Sequence, residues 1–159
     1  MAEHLWAPWR VQYIEGEKPQ GCIFCRILEA TDDVDNLILY RGKQNVVMLN
    51  KYPYNAGHLM VTALRHIGHL DDFDLEELAE HTDLVRKAVK ALQKAMSPQG
   101  FNIGMNIGRV AGAGIEDHLH THIVPRWNGD NNYMPVIGDT RIVSQALSDT
   151  YKRLVGKIA

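Results

Sequence analysis

Long apolar runs are missing from this chain. The longest, Leu59–Leu64, is interrupted by Thr62 and falls far short of the roughly 18 residues that a membrane-spanning helix needs. A surplus of charge is missing as well. Seventeen basic and 19 acidic residues leave a formal net charge of −2, so there is no electrostatic footprint for a nucleic-acid backbone or an anionic membrane. No basic head followed by an apolar core opens the sequence, where Glu3, Pro8 and Arg10 stand among aromatics, so a secretory signal is not expected. Cysteine is scarce. Two thiols cannot build a disulfide framework. These absences point to the cytoplasm and exclude a nucleic-acid or membrane partner.

What is present is ordinary in amount and unusual in arrangement. The chain has 159 residues, 45% hydrophobic and 23% charged, which suits one globular domain over residues 1–159 burying roughly 68–70% of its unfolded surface. The opening Leu5–Arg10, with Trp6-Ala7-Pro8-Trp9 at its centre, reads as an ordered aromatic arm, either a dimer or pocket contact or a strap over the core. Ile23–Ala30 suits a short helix. Asn36–Tyr40, Asn45–Leu49 and His58–Ala63 read as strands separated by turn residues. Residues 71–96 form the clearest helix, with Asp74 and Glu77 as a capping pair and Pro98 and Gly100 as the stop. Phe101–Gly108 and Ile115–Val124 alternate as strands do, and a last helix is expected over about Arg141–Val155. Strands interleaved with two main helices predict an α+β fold, an antiparallel β-sheet meander rather than a doubly wound sheet.

Chemistry concentrates in two places. Cys22-Ile23-Phe24-Cys25 is half of a metal site or a redox pair. Eight histidines are present, three of them in His118-Leu119-His120-Thr121-His122. On a strand this alternation puts all three imidazoles on one face and Leu119, Thr121 and Ile123 on the other. Neighbouring histidines then stand roughly 6–7 Å apart, a spacing that suits divided labour along an extended polar substrate. One zinc could take an adjacent pair but hardly all three. Gly108-Arg109-Val110-Ala111-Gly112-Ala113-Gly114 fits neither the Walker pattern nor the dinucleotide fingerprint. Its backbone N–H groups can still cradle an anion.

His-x-His-x-His followed by two apolar residues is the signature of the histidine-triad (HIT) superfamily of nucleotide hydrolases and transferases, and this chain resembles that family along essentially its whole length. Asn50–Val61 is similar to the family's nucleoside-side strand-turn-strand, and Gly21–Ile27 to the N-terminal segment of its zinc-containing members. The aromatic opening and Val124–Asp130 resemble the bacterial branch associated with diadenosine tetraphosphate phosphorylase or hydrolase activity. The resemblance implies a HIT-like domain, commonly a homodimer, that cleaves an α-phosphate linkage of a dinucleoside polyphosphate. His120 would be the nucleophile and His122 would assist the leaving group. Asn50 would reach the ribose, Asn106 and the loop from Gly108 would hold phosphate, and His58 would line the pocket. Cys22, Cys25, His66 and His118 would close a structural Cys₂His₂ zinc site, with His69 the substitute for His66. His4 and His81 read as surface residues. Lys51, Arg109 and Arg126 are candidates to meet a polyphosphate tail. Gly112-Ala113-Gly114-Ile115-Glu116-Asp117 departs from the Gln-Ser or Gln-Thr of many members, which removes a familiar phosphate contact. A nucleoside phosphoramidase and a zinc-stabilised nucleotide-binding adaptor are the alternatives, and the sequence does not choose between water and orthophosphate as acceptor.

Overall fold

The computed structural model describes residues 21–130 and 145–158. The aromatic arm with His4, and the first residues of the expected last helix, lie outside the described residues. Ten elements follow in order. They are α1 (Ile23–Glu29), β1 (Ile38–Arg41), β2 (Asn45–Leu49), β3 (Leu59–Ala63), a 3₁₀ turn (Leu70–Asp72), α2 (Leu75–Met96), β4 (Gly100–Met105), a second 3₁₀ turn (Arg109–Ala111), β5 (His120–Arg126) and α3 (Leu147–Leu154). The strands form one antiparallel sheet in the order β1-β2-β3-β5-β4. The α+β fold with one antiparallel sheet expected from the sequence is observed, although the meander holds only through β1-β2-β3 and β5 then lies between β3 and β4. Among the described residues no helix is long and apolar enough to cross a membrane.

Strand periodicity divides the sheet into two faces. Val47 and Leu49 of β2, Leu59 and Val61 of β3 and Ile123 of β5 pack with Leu84, Ala88 and Leu92 of α2 and with Tyr151 and Leu154 of α3. The alternate residues Val46, Met48 and Met60 pack on the other face with Phe24 of α1. Every residue of β2 and β3 is therefore buried, which is why those strands read as continuous apolar runs rather than alternating ones. Helix α2 starts where Asp74 accepts a hydrogen bond from the Glu77 N–H at 2.8 Å, satisfying an orphan donor of the first turn. It ends at Ser97, whose φ of 51° is left-handed, and Pro98 cannot continue the run. Gly57 turns the chain into β3 with a φ of +75°, and a Cβ there would stand 2.8 Å from Met96 Sδ. Only glycine suits that turn.

Several expectations need correction. The helix expected over residues 71–96 starts at Leu75, and the strand expected over Phe101–Gly108 ends at Met105. The strand expected over Ile115–Val124 begins only at His120, because the β4 ladder ends at the Met105–Thr121 pair. Residues 115–119 form an approach loop, anchored where Leu119 N–H donates to the Ile67 carbonyl at 2.7 Å. The last helix, within the described residues, is shorter than expected and runs Leu147–Leu154. His81 is not a surface residue but is 2% exposed. It lies on the inner stripe of α2 with Leu84 and Ala88, and polar partners on β2 and β5 make its burial tolerable. Its Nδ1 lies 2.9 Å from Asn45 Oδ1 and its Nε2 2.7 Å from Thr121 Oγ1.

Burial pushes the His81 imidazole down to about 4, with the nearby Glu77 carboxylate opposing that shift in part. In the unfolded chain the same ring titrates near its ordinary 6.5. Between those values the unfolded state binds more protons, so the contribution of a neutral His81 is complete above about pH 6.5 and is lost as pH falls toward 4. Urea denaturation across this range should show stability falling with acid, and the fall should be shallower in His81→Gln. Equal slopes in the two proteins would count against this account.

Candidate functional site

The site grows from β5. His118 just precedes the strand and is fully buried, and His120 and His122 follow on the α1 side of the sheet, with Thr121 and Ile123 turned to α2. The His120 and His122 rings meet edge to face with centroids 4.8 Å apart, closer than bare strand spacing because the rings lean toward each other. Phe24 lies against the His118 and His120 rings, with centroid distances of 5.2 and 4.9 Å.

Hydrogen-bond partners fix which nitrogen of each ring carries a proton. His120 Nδ1 lies 2.9 Å from the His118 carbonyl oxygen. A carbonyl only accepts, so Nδ1 carries the hydrogen and Nε2 of the neutral ring holds a lone pair. Burial lowers the affinity of His120 for a second proton, and the bond to the His118 carbonyl opposes this only in part. His118 is anchored the other way round. Its Nε2–H donates to the Ala63 carbonyl at 2.9 Å, leaving Nδ1 bare toward the two thiols. In a third arrangement, Tyr54 N–H donates to His58 Nδ1 at 3.0 Å, so the proton of a neutral His58 is on Nε2. That nitrogen is 3.0 Å from His122 Nδ1. His122 Nδ1 accepts, and its own proton is on Nε2.

The bare Nδ1 of His118 belongs to a second cluster. One donor atom each from Cys22, Cys25, His66 and His118 lies within 4.8 Å of the others. Cys22 Sγ is 3.3 Å from His118 Nδ1, Cys25 Sγ is 3.3 Å from His66 Nδ1, and Cys25 Sγ is 3.6 Å from His118 Nδ1. Tetrahedral coordination with Zn–S of about 2.3 Å and Zn–N of about 2.0–2.1 Å sets donors about 3.3–3.8 Å apart. These three separations match that spacing, and two cysteines with two histidines are the donor types that such an ion takes. His69, by contrast, caps the first 3₁₀ turn and is not in the cluster.

A cavity of about 390 Å³ opens beside these rings. Phe24 and Ile27 of α1 and Met48 of β2 form its apolar part, and Asn50, His120 and His122 bring polar groups to it. Gly112, Gly114 and Ile115 border it from the loop before β5, and Lys51 also contributes to its lining. Asn50 Oδ1 accepts from Tyr52 N–H at 2.8 Å, so its NH₂ end is what it offers to a ligand. Asn106 stands just past β4 with its Nδ2 3.5 Å from the Gly112 carbonyl. Gly108, at a φ of 80°, closes the loop by accepting from Ala111 and Ala113 N–H. Asn106, Gly108 and His58 are all outside the described cavity lining, and His58, fully buried, meets it through His122. Arg126 is occupied elsewhere, with Nε and Nη2 on Asp130 at 2.7 and 2.9 Å and Nη1 on Asn102 at 2.8 Å. Its guanidinium, helped by the Trp127 N–H and Asn55, brings the Asp130 carboxyl down to about 2 against the opposing effect of burial. Arg109 lies beside Glu116 and is largely exposed.

Two residues beside the rings were not singled out from the sequence. Phe24 is the aromatic within Cys22-Ile23-Phe24-Cys25, and bringing both thiols to His118 also brings it to His120. Tyr54 rests on His58 and His122, with ring centroids 4.7 and 5.8 Å away. Turn composition alone gave no sign of that.

A neutral imidazole with its lone pair on Nε2 thus stands at the edge of the cavity, beside a cluster of two cysteines and two histidines. The chain belongs to the HIT domain family, which matches across residues 31–129. It is 37% identical over 162 residues to the AP-4-A phosphorylase of Mycobacterium tuberculosis (strain ATCC 25618 / H37Rv), spanning 96% of this chain and 82% of that protein. It is 31% identical to the adenosine 5'-monophosphoramidase hnt1 of Schizosaccharomyces pombe, over 68% of this chain and 76% of that protein. The fold is shared with a Zn-bound histidine triad family protein from Mycobacterium smegmatis, at a TM-score of 0.68 and 24% identity over 86% of this chain and 92% of that one.

The tautomers are directly measurable. Long-range ¹H–¹⁵N ring spectra near neutral pH should show His120 protonated on Nδ1, and His118 and His58 on Nε2. A His120 ring protonated on Nε2 instead would remove the lone pair from the cavity side and break this description of the site.

Proposed function

We propose that this HIT-family enzyme cleaves the α-phosphate linkage of a dinucleoside polyphosphate of the diadenosine tetraphosphate kind, through a covalent nucleotidyl-histidine on His120. The observation that carries the reading is the Nδ1 anchor of His120 on the His118 carbonyl. It leaves Nε2 as a neutral nucleophile on the cavity side. The Nε2 lone pair forms a bond to the α-phosphorus as the bond from that phosphorus to the bridging oxygen breaks. The leaving nucleoside polyphosphate carries away the electron pair, and His122 Nε2–H stabilises the charge left on its oxygen by a hydrogen bond. The His118 carbonyl stabilises the positive charge that develops on the substituted ring. Water or orthophosphate then attacks the same phosphorus, breaks the P–N bond and restores His120. Orthophosphate would give a nucleoside diphosphate, the outcome favoured by likeness to the mycobacterial phosphorylase. Asn50 holds the ribose, Asn106 and the loop from Gly108 hold phosphate oxygens, and His58 orients His122.

Replacing His120 by Ala should lower turnover by more than about a thousandfold and abolish the trapped adduct, while nucleotide still binds. His122→Ala should slow adduct formation without preventing it. Asn50→Ala or Asn106→Ala should cost roughly 1.5–3 kcal/mol of binding or transition-state stabilisation, one hydrogen bond to a charged ligand. Mass-spectrometric mapping of an adduct to His118 or His122 would overturn the assignment. Comparing products with and without orthophosphate, and turnover of a nucleoside phosphoramidate beside diadenosine tetraphosphate, separates the phosphorylase from the hydrolase and the phosphoramidase. Binding without turnover of any of them would instead mark an adaptor.

The second part of the proposal is structural zinc at Cys22, Cys25, His66 and His118, in a homodimer working in the cytoplasm, where thiols remain reduced. When bound, zinc supplies a rigid cross-link between α1 and the approach to β5; the cleavage steps belong to the histidines. For the dimer, β4 offers a sheet edge on which Ile103 is 49% exposed, a surface that a second copy would cover. Native mass spectrometry should give two chains and two zinc ions, and Cys22→Ser should lower both metal content and melting temperature. A metal-free monomer prepared without chelators would sink this part.

A further inference from the structure

The interface between the sheet and α2 is mostly apolar among the described residues. Across it a chain of buried or partly buried polar groups runs from the β1–β2 turn through α2 to β5. Glu80 accepts from Lys43 and Gln44 N–H, both at 2.7 Å, and from Asn45 Nδ2 at 3.1 Å. Burial would raise the Glu80 carboxyl, but the hydrogen bonds from Asn45 and the backbone of residues 43–45 prevail and hold it below its ordinary value. Asn45 Nδ2 also donates to the Glu77 carbonyl at 3.0 Å. Its NH₂ is therefore committed, and Oδ1 must be the acceptor for His81 Nδ1–H. With that proton on Nδ1, His81 Nε2 accepts from the Thr121 hydroxyl. Each link has one direction, and the chain ends on the residue between His120 and His122.

A buried polar chain is a costly way to join a helix to a sheet. Apolar groups of the same shape would serve stability as well or better. What hydrogen bonds add is a defined distance. Backbone ladders fix β5 within the plane of the sheet, through Thr121 paired with Val61 on one side and Met105 on the other. They leave the height of the strand above α2 to side-chain packing. The bond of 2.7 Å from Thr121 to His81 sets that height at the centre of the His120–His122 pair.

We propose that His81 and Thr121 form a positioning pair that holds β5, and so the reach of His120 and His122 into the cavity. The catalytic consequence rests on the proposed reaction at His120, and the geometric consequence does not. Misplacement by about 1 Å can cost about 100-fold in rate, so loss of a bond that allows a fraction of that movement should be visible in kcat. Thr121→Val keeps the shape of the side chain and removes the hydroxyl. It should lower kcat about tenfold with KM within twofold of the parent, and Thr121→Ser should restore most of the rate. The ring ¹H–¹⁵N resonances of His120 and His122 should move in Thr121→Val and stay in place in Thr121→Ser. His81→Gln, read by the same two measurements, tests the other end of the bond if Thr121→Val does not fold.

A folded Thr121→Val protein with kcat within twofold of the parent and unmoved ring resonances would overturn the proposal. So would a fall in melting temperature alone, since that is what a purely structural contact would give. If the parent shows no turnover, the reaction assigned to His120 fails. The ring resonances then decide the positioning by themselves: movement in the valine variant alone sustains it, and any other pattern ends it.

Discussion

Two-residue alternation along β5 is the constraint on which the rest of the structure depends. The strand is buried on both faces, so each side chain must suit one of two quite different surroundings. Thr121 and Ile123 face α2, and His120 and His122 face the cavity. A slip of one residue would send imidazoles into the apolar core and Ile123 into the cavity. Antiparallel ladders with β3 and β4 hold the register from both sides.

His118 links the two clusters. Its ring donates to Ala63 and turns Nδ1 to the thiols, while its carbonyl receives the proton of His120. The ring serves the cysteine–histidine cluster and the backbone serves His120. Anything that shifts the first shifts the second, because one peptide unit carries both. Phe24 adds a second connection, since it lies between the thiols in sequence and against both rings in space.

The electrostatics of the site depend more on exclusion of water than on charge. No carboxylate contacts His120 among the hydrogen bonds of the described residues, and burial is what keeps its ring neutral. The relay from Tyr54 through His58 performs the complementary task for His122, presenting a proton where His120 presents a lone pair. Two chemically identical side chains thereby acquire opposite roles through their hydrogen-bond partners. The glycines of the 112–114 loop bring backbone up to the cavity, so main chain more than side chains borders it there.

Much of this was legible along the chain, and the physical reasons for success and failure differ. Periodicity located α2, because residues packed on one face must recur at the period of their element, and short apolar runs bounded by turn residues located β2 and β3. The His118–His122 spacing and the Cys22–Cys25 pair marked the two clusters, since local order fixes which residues share a face or a turn. His81 was misread because one histidine in a helix reveals nothing of its neighbours. Its partners Asn45 and Thr121 lie 36 and 40 residues away. The same holds for Arg126, occupied by Asp130 and Asn102, and for Tyr54. By itself the sequence determined the family, the elements and which residue types carry the chemistry. Only tertiary structure decided which nitrogen of each imidazole bears a proton, because that depends on a partner brought within about 3 Å by folding.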